Sequence, residues 1–240
     1  MPAPDYTKVP WVYAVQGASM LDWPGRTAAV LFLSGCDFAC AYCHNPELRK
    51  AQPGTLALDA VVERLAARRD WVSSVVVTGG EPLLFPHLGE LLGALRDAGL
   101  ATAVNTNGSH PLVLSRLLAA GLLDRVNLDL KTPLAQYATR PGLRDAGKDV
   151  ARSLALLLAR SATVPAFEME CRTTLDRRYV GSAEEVATLV SFLGRTGHHL
   201  VLQGLQGDDL RAYAVPRDEA KAWCGLLPEE LRPELRGFRF

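Results

Sequence analysis

A repeated alternation of short apolar runs with amphipathic segments constrains the fold of this chain more than any other feature. Residues 74–78 form a β-branched run without polar alternation, the pattern of a strand buried on both faces. The segment before it, residues 58–68, carries apolar side chains at helical spacing: Leu58, Val61, Val62 and Leu65. Strand and helix patterns in alternation predict a parallel sheet with right-handed crossovers.

The same alternation continues along the chain. It predicts six strands, over residues 28–33, 74–78, 101–105, 125–130, 166–174 and 199–203. It predicts helices over residues 58–68, 87–98, 111–119, 149–160 and 182–193, the last opened by a capping box that begins at Ser182. An edge strand over residues 9–16 is expected before them, and a helix that begins at Pro216 is expected after them.

The number of units limits the architecture. A complete eight-fold barrel needs about 250 residues. Six units in a chain of 240 residues therefore predict an α/β fold of the partial, three-quarter TIM barrel type, with about six β/α units around a parallel sheet. We expect a single domain over residues 1–240, made of an N-terminal extension (1–26), the partial barrel (27–206) and a C-terminal helix with a basic tail (207–240).

Charge and hydropathy exclude several classes of partner. Lys+Arg and Asp+Glu are balanced at 26 each, which argues against an extended nucleic-acid footprint or a membrane-surface patch. No apolar run approaches the length of a membrane span, and the first residues have neither a basic start nor an apolar signal core. We therefore expect a cytoplasmic protein, with no membrane and no nucleic acid among its partners.

Three cysteines lie close together after the first predicted strand: Cys36, Cys40 and Cys43, spaced C-x₃-C-x₂-C. Thiolates favour zinc, copper(I) or iron–sulfur clusters over harder metals. Three cysteine ligands on a 4Fe–4S cluster leave one iron open to an outside ligand. The spacing thus favours a reactive cluster, whereas the isolated Cys171 and Cys224 are interpreted as small buried apolar residues.

Two other interpretations of the three cysteines remain. Structural zinc could use His44 as a fourth ligand, although zinc sites usually separate their ligands into two pairs. Adjacent side chains in extended backbone point apart, so Cys43 and His44 are poorly placed to share one ion. A disulfide is the third possibility, but three is an odd number of thiols.

Other polar motifs also fall at the ends of predicted strands. In parallel α/β folds, ligands bind beyond the carboxyl ends of the strands. We therefore expect these motifs to converge with the cysteines on one rim. They are Gly79-Gly80-Glu81, Asn105 to Gly108, Asp129-Leu130-Lys131, Arg172 and Gln203.

At these motifs the sequence resembles the radical S-adenosylmethionine enzymes over residues 21–206. The C-x₃-C-x₂-C loop, with Tyr42 before the third cysteine, is similar to their cluster-binding motif, and TGGEP at 78–82 is similar to their second motif. Within that superfamily, GCDFACAYCHNPEL (35–48), LDWPG (21–25), NTNG (105–108) and DLK (129–131) resemble activating enzymes of glycyl-radical proteins. The resemblance is greatest to the type that activates anaerobic ribonucleoside-triphosphate reductase.

The resemblance implies roles for the motif residues. Cys36, Cys40 and Cys43 would hold three irons of a 4Fe–4S cluster, and the methionine end of S-adenosylmethionine would bind the fourth. The backbone from Tyr42 to His44 would meet the adenine. The remaining cofactor contacts would be made by Gly79, Gly80, Glu81 (methionine ammonium), Asn105, Asn107 (ribose), Asp129, Lys131 and Arg172 (methionine carboxylate), and Gln203 (adenine).

The resemblance also implies an activity and its partners. The reduced cluster would cleave S-adenosylmethionine, and the resulting radical would abstract hydrogen from a glycine Cα. The expected partners are a glycyl-radical protein, namely anaerobic ribonucleotide reductase, and an electron donor of the flavodoxin or ferredoxin type. A radical enzyme that modifies a small molecule or a peptide is one alternative. A binding module stabilised by zinc at the three cysteines is the other.

Two features bear on the details of that resemblance. Asn105 stands where related activating enzymes often have an aspartate that helps bind a monovalent cation, so this chain has one negative charge fewer at that position. The short segment between the cysteine loop and the first predicted helix has no further cysteine, so one cluster is expected.

Overall fold

A computed structural model of the chain describes residues 10–194, 196, 198 and 200–238. Its described strands are β1 (Pro10–Val12), β2 (Ala14–Ser19), β3 (Ala28–Leu33), β4 (Leu56–Ala57), β5 (Ser74–Gly79), β6 (Ala101–Thr106), β7 (Arg125–Asp129), β8 (Glu168–Leu175), β9 (Leu200–Gly204) and β10 (Glu234–Arg236). Its described α-helices are α1 (Leu58–Ala66), α2 (Leu88–Asp97), α3 (Pro111–Ala119), α4 (Gly147–Thr163), α5 (Ala183–Leu193) and α6 (Arg217–Gly225).

The main sheet confirms the predicted α/β fold. Within the described residues it has eight strands, in the order β10-β9-β8-β7-β6-β5-β3-β2. All neighbours from β3 to β10 pair in parallel, and β2 pairs antiparallel with β3 at the edge. The central strands carry apolar side chains on both faces because helices cover one face and the barrel interior lies on the other.

The sheet curls into a partial barrel. Neighbouring strands lie about 4.8 Å apart, so five steps would separate β3 from β9 by about 24 Å in a flat sheet. Yet Cys36, just after β3, and Gln203, on β9, line the same cavity. This curvature gathers the carboxyl ends of the strands around one site, as the partial-barrel prediction requires.

Trp23, from the LDWPG segment (21–25), closes the opposite end of the barrel. Its side chain is completely buried and packs against Ala28, Val76 and Ala103. Its indole Nε1 donates to the carboxylate of Glu168 at the start of β8, at 3.1 and 3.2 Å. The indole therefore joins both sides of the curled sheet below the site.

The outer strands differ in detail from the prediction. The expected edge strand over 9–16 is two strands, since β1 pairs with β4 and β2 pairs with β3; Val9 lies outside the described residues. The sequence patterns missed β10, which adds a further parallel strand beside β9. His199 and Arg239 also lie outside the described residues, so the predicted first residue of the last strand and part of the basic tail are not described.

The helices follow their predicted segments closely. The Ser182 side chain caps α5 by accepting from the backbone N–H of Glu185, at 3.3 Å. The other half of the predicted box differs, because the Glu185 carboxylate accepts from the N–H of Gly181. Among the described residues, no helix combines the length and the apolar character needed to cross a membrane.

Candidate active site

A cavity of about 300 Å³ lies at the carboxyl ends of the parallel strands. Every residue predicted for the site lines it. These residues are Cys36, Cys40, Tyr42, Cys43, His44, Gly79, Gly80, Glu81, Asn105, Asn107, Asp129, Lys131, Arg172 and Gln203. The convergence of these motifs on one rim is thus observed, whereas the role of each residue remains a prediction.

The cysteine loop is held in place mainly through its backbone. The N–H of Ala39 donates to the carbonyl of Gly142 at 2.6 Å, and the N–H of Ala41 donates to the hydroxyl of Tyr179 at 2.7 Å. Arg49 donates from its guanidinium to the Cys40 carbonyl at 2.6 Å. A loop whose backbone groups are bonded on several sides can present three thiols in a fixed arrangement.

Asp37 links the same loop to the end of β6. Its carboxylate accepts from Asn107 Nδ2 at 2.9 Å and from Arg144 Nε at 2.7 Å, and it lies 3.4 Å from His110 Nε2. Burial acts to raise the pKa of Asp37, but the neighbouring His110, Asn107 and Ser109 hold it far below its usual value. The ionised Asp37 therefore ties together two predicted parts of the site.

Gly79 and Gly80, at the end of β5, lie directly against the end of β3 and the residues that follow it. A Cβ on Gly79 would stand 2.1 Å from the carbonyl oxygen of Leu33, and one on Gly80 would stand 2.1 Å from that of Gly35. Both glycines line the cavity, but the backbone that approaches them most closely is the end of β3. Their lack of a side chain lets the second motif pack directly beneath the cysteine loop.

The next residue, Glu81, is buried and accepts three hydrogen bonds. Its Oε1 accepts from Thr106 Oγ1 at 2.7 Å and from the N–H of Leu83 at 3.1 Å, and its Oε2 accepts from the N–H of Asn107 at 2.7 Å. Burial raises its pKa to about 7, against the effect of those donors. A carboxylate has about four acceptor positions, so one remains on Oε2 for a donor in the cavity.

Asp129 pairs with both basic residues that were predicted to grip a carboxylate. Its oxygens accept from Arg172 Nε at 2.8 Å and from Lys131 Nζ at 3.1 Å. These two cations lower the pKa of Asp129 to about 2 in spite of burial. Two positive charges against one negative charge leave this side of the cavity suited to an anionic group.

Asn105 belongs to a hydrogen-bonded column inside the barrel. Its Nδ2 donates to Thr78 Oγ1 at 3.2 Å, and its Oδ1 accepts from Asn127 Nδ2 at 2.8 Å. Arg125 continues the column from Asn127 to Glu168. The amide thus uses both ends of its side chain, as donor and as acceptor.

Two buried polar atoms at the cavity have no partner within the described part of the chain and are suited to a bound ligand. Tyr42 Oη and Arg49 Nε are buried and have no hydrogen-bond partner among the described residues, and both side chains line the cavity. The Tyr42 ring itself packs edge-on against Tyr179, with centroids 4.8 Å apart. Buried polar groups without partners are rare in proteins, so a bound group is expected to complete their environment.

The thiols also fit a cluster better than a single ion. Burial raises the pKa of Cys36 to about 11, and a coordinated metal would deprotonate such a thiol. Among the described residues, no three His, Cys, Asp or Glu side chains are grouped so as to hold one metal ion. Each cysteine of a 4Fe–4S cluster binds its own iron, so the thiols need not meet at one point.

Sequence reasoning missed the residues that support the loop from a distance. Arg49, Gly142 and Tyr179 were not predicted, although each contacts the cysteine loop. Gly142, in an Arg-Pro-Gly turn, offered a local signal for positive φ, which it adopts at 69°. Tyr179 lies far from the loop in sequence and carried no such signal.

The chain belongs to the radical SAM superfamily, whose sequence profile matches residues 30–165, more than half of its length. Members of this superfamily use a 4Fe–4S cluster and S-adenosylmethionine, so the two expected cofactors are those of the family. The cavity described above supplies thiols for the first and polar groups for the second.

Curated relatives include proteins of different activities. A Methanocaldococcus jannaschii protein named for glycyl-radical enzyme activation is 27% identical over 164 residues, 68% of this chain and 67% of the relative. The 7-carboxy-7-deazaguanine synthase of Methanothermobacter thermautotrophicus is 33% identical, covering 49% of this chain and 46% of the relative. The pyruvate formate-lyase-activating enzyme of Staphylococcus aureus is 32% identical, covering 40% and 41%. The chain thus spans less than half of the latter two relatives.

Solved structures share the fold at low sequence identity. Streptococcus suis SuiB bound to its precursor peptide SuiA has a TM-score of 0.62 at 18% identity, covering 87% of this chain and 48% of that one. TYW1 with a lysine-pyruvate adduct has a TM-score of 0.59 at 19% identity, covering 83% and 72%. Native anSMEcpe with bound AdoMet has a TM-score of 0.59 at 16% identity, covering 85% and 61%. These likenesses establish the fold alone.

Proposed function

We propose that this chain is an activating enzyme that generates a glycyl radical on a partner protein, with anaerobic ribonucleotide reductase as that partner. The observation that carries the proposal is the cavity, in which the cysteine loop, the NTNG motif and the DLK motif of the activase pattern meet. Two of the relatives described above are named as activating enzymes, which supports it. We also propose that the protein acts in the cytoplasm and that residues 1–240 form a single domain.

Different residues of the cavity would bind different parts of the two cofactors. Cys36, Cys40 and Cys43 would hold three irons of the cluster and leave the fourth for the cofactor. When bound, the cluster and S-adenosylmethionine supply reductive cleavage of the sulfonium and a carbon radical able to abstract hydrogen. The protein's own contribution is to bind, orient and exclude water.

The methionine end of the cofactor would meet charged groups on two sides. Arg172 and Lys131 would attract its carboxylate, while Asp129 keeps both cations fixed in place. The remaining acceptor position of Glu81 would accept a hydrogen bond from the ammonium. Opposite charges at defined places set the direction in which the molecule lies in the cavity.

The nucleoside end would lie against the cysteine loop and the ends of β6 and β9. We assign the ribose to Asn107 and the adenine to Gln203 and the backbone from Tyr42 to His44. Asn107 is already fixed by Asp37 and by the N–H of Ser109, so its position costs little side-chain entropy on binding. Asn105 would support the cofactor site from below, through its hydrogen bonds with Thr78 and Asn127.

A glycine in an extended partner loop suits this cavity. Its Cα carries no side chain, so it can approach a recessed carbon, and a radical there is delocalised over two flanking amides. The open flank of a partial barrel leaves room for such a loop. An electron donor of the flavodoxin or ferredoxin type would reduce the site between turnovers.

Electron paramagnetic resonance tests this function directly. The reduced protein is incubated anaerobically with S-adenosylmethionine and the anaerobic ribonucleotide reductase of the same genome. We expect a doublet on the reductase that collapses when its glycine is labelled with deuterium at Cα. A silent reductase, together with consumption of a small molecule, would contradict the activase and favour the second candidate.

The second candidate is a radical enzyme that modifies a small molecule or a peptide. The 33% identity to a deazaguanine synthase supports the first substrate class, and the fold shared with a peptide-bound structure is compatible with the second. Turnover of such a substrate without any protein partner would distinguish it from the activase.

A further inference from the structure

A second large concavity lies outside the barrel, between α3 and α4. This groove has a volume of about 920 Å³. Its floor is apolar, and Leu112 on α3 leaves 75% of its surface exposed. The other apolar residues that line it are Pro111, Val113, Ala155, Leu156 and Ala159. None of the described residues lines both this groove and the active-site cavity.

The rim of the groove is basic. Arg116, Arg144 and Arg152 line it with a single carboxylate, Asp149, which lies 3.5 Å from Arg152. Arg116 forms no ion pair within the described part of the chain. An apolar floor with an arginine rim complements a protein surface of apolar and acidic side chains.

A neighbouring interhelical groove shows that this charge is local. The groove between α1 and α2 has a volume of about 410 Å³ and is lined by three carboxylates, those of Asp59, Glu63 and Glu90. Acidic and basic residues are equal in number in the whole chain. The excess of basic over acidic side chains that line the α3–α4 groove is therefore local and is not a property of the whole chain.

The groove also reaches the cysteine loop. Arg144 and His110 line the groove, and both contact the Asp37 carboxylate, at 2.7 and 3.4 Å. Asp37 directly follows Cys36 in the sequence. A protein seated in the groove would thus lie beside the predicted cluster ligands while the active-site cavity stays open.

We propose that the α3–α4 groove is the docking surface for an acidic one-electron carrier protein of low potential. The transfer is simple: the carrier loses one electron, the cluster gains it, and no bond or proton changes place. Reductive cleavage needs this electron from outside the chain. The inference rests on cleavage of S-adenosylmethionine and is independent of which glycine or other substrate is attacked.

A binding titration with an acidic flavodoxin tests the surface itself. The double variant Arg116→Glu, Arg152→Glu reverses charge at the rim without touching the site cavity. Arg64→Glu, Arg69→Glu is the matched control, because these exposed arginines lie on and just after α1 and bring the same change in net charge. We expect the Kd for flavodoxin at low salt to rise about tenfold or more in the rim variant alone. Equal Kd values in both variants would overturn the proposal.

The source of electrons provides the second readout. With flavodoxin and its reductase as electron source, the rim variant should form 5′-deoxyadenosine more slowly, with a raised KM for flavodoxin. With dithionite, which needs no docking surface, it should match the unmodified protein. A loss that is equal with both reductants would contradict a docking role.

The glycyl-radical partner is the other protein that could occupy the groove. The rim variant is therefore also assayed for glycyl-radical formation with dithionite as reductant. Unchanged radical formation supports the carrier as occupant. Radical formation that fails while 5′-deoxyadenosine formation remains normal would assign the groove to the radical acceptor and overturn our proposal.

Discussion

Asp129 is paired with two cations at the candidate site. Arg172 and Lys131 both donate to it, so its negative charge is balanced by protein side chains. A carboxylate in that position orients two cations that would otherwise repel each other. The DLK motif is contiguous, so it can be recognised in the sequence. The contact between Asp129 and Arg172 cannot, because Arg172 comes from a separate strand, β8.

The pairing of Asp129 predicts a pH dependence of stability. Its pKa in the folded state is about 2, below the ordinary 3.8, so the folded protein binds fewer protons than the unfolded chain between these values. The resulting stabilisation, about 2 kcal/mol, is present above pH 4 and is lost as the pH falls towards 2.

Urea denaturation of the cluster-free protein and of Asp129→Asn measures this contribution. We expect the variant to be less stable at pH 6, because two buried cations lose their partner. The difference between the two proteins should narrow as the pH falls below 4. A difference that stays constant down to the lowest measurable pH would show that Asp129 is not held ionised by its neighbours.

The convergence of the candidate site residues on one rim was largely predictable, but the contacts that support the cysteine loop were not. Residues such as Cys36 and Glu81 lie in contiguous motifs at strand ends, and parallel topology alone brings those ends together. Arg49 and Tyr179 act through single contacts with the loop, and such pairings depend on the final packing. Periodicity carries no information about them.

The position of the cysteine loop depends on a close backbone contact between Ala39 and Gly142. Gly142 has a φ of 69°, and a Cβ there would stand 1.9 Å from the Ala39 carbonyl oxygen. Gly121 has a similar φ of 67° but nothing within 4 Å of its Cβ position. A substitution at Gly121 would therefore strain only the backbone, whereas the same substitution at Gly142 would also displace the cysteine loop.

Alanine at each glycine gives a matched comparison. Gly121→Ala should cost about 1–2 kcal/mol of stability through the left-handed backbone alone. Gly142→Ala should cost about 1–3 kcal/mol more, since the cysteine loop must move. After anaerobic reconstitution, iron content should fall in Gly142→Ala and be retained in Gly121→Ala. Equal iron content in both would show that the loop tolerates the shift.

Strand β10 illustrates where pattern reasoning fails for an element. It has three residues, Glu-Leu-Arg, which are too few to show a period of two. Its partner β9 supplies the parallel edge, and Arg236 pairs with Glu170 of β8. Strand β5, by contrast, was predictable because its β-branched run is buried on both faces.

Trp23 determines how the whole barrel is closed below the site. Its burial against β3, β5 and β6 and its contact with Glu168 of β8 span the curled sheet. The LDWPG segment, noted in the sequence as part of the family resemblance, thus has a structural role at the barrel floor. Loss of the indole would leave a cavity between opposite sides of the barrel.

Two tryptophan variants test this role in the intact chain. Trp23→Ala should lower the free energy of unfolding by about 3–5 kcal/mol. Trp71, which is 84% exposed, is the control, and Trp71→Ala should change stability by less than about 0.5 kcal/mol. Chemical denaturation followed by circular dichroism gives both values. A small effect at Trp23 would mean that the barrel does not depend on this closure.

We propose that the loop with Cys36, Cys40 and Cys43 carries the cluster at which S-adenosylmethionine is cleaved. Iron content and 5′-deoxyadenosine formation are measured together on reconstituted, dithionite-reduced protein, with Cys224→Ala as the control for thiol loss. We expect about four irons per chain and cleavage in the unmodified protein and in Cys224→Ala, and no cleavage in Cys36→Ala. Full cleavage by Cys36→Ala, or an unmodified protein that holds zinc in place of iron, would contradict the account.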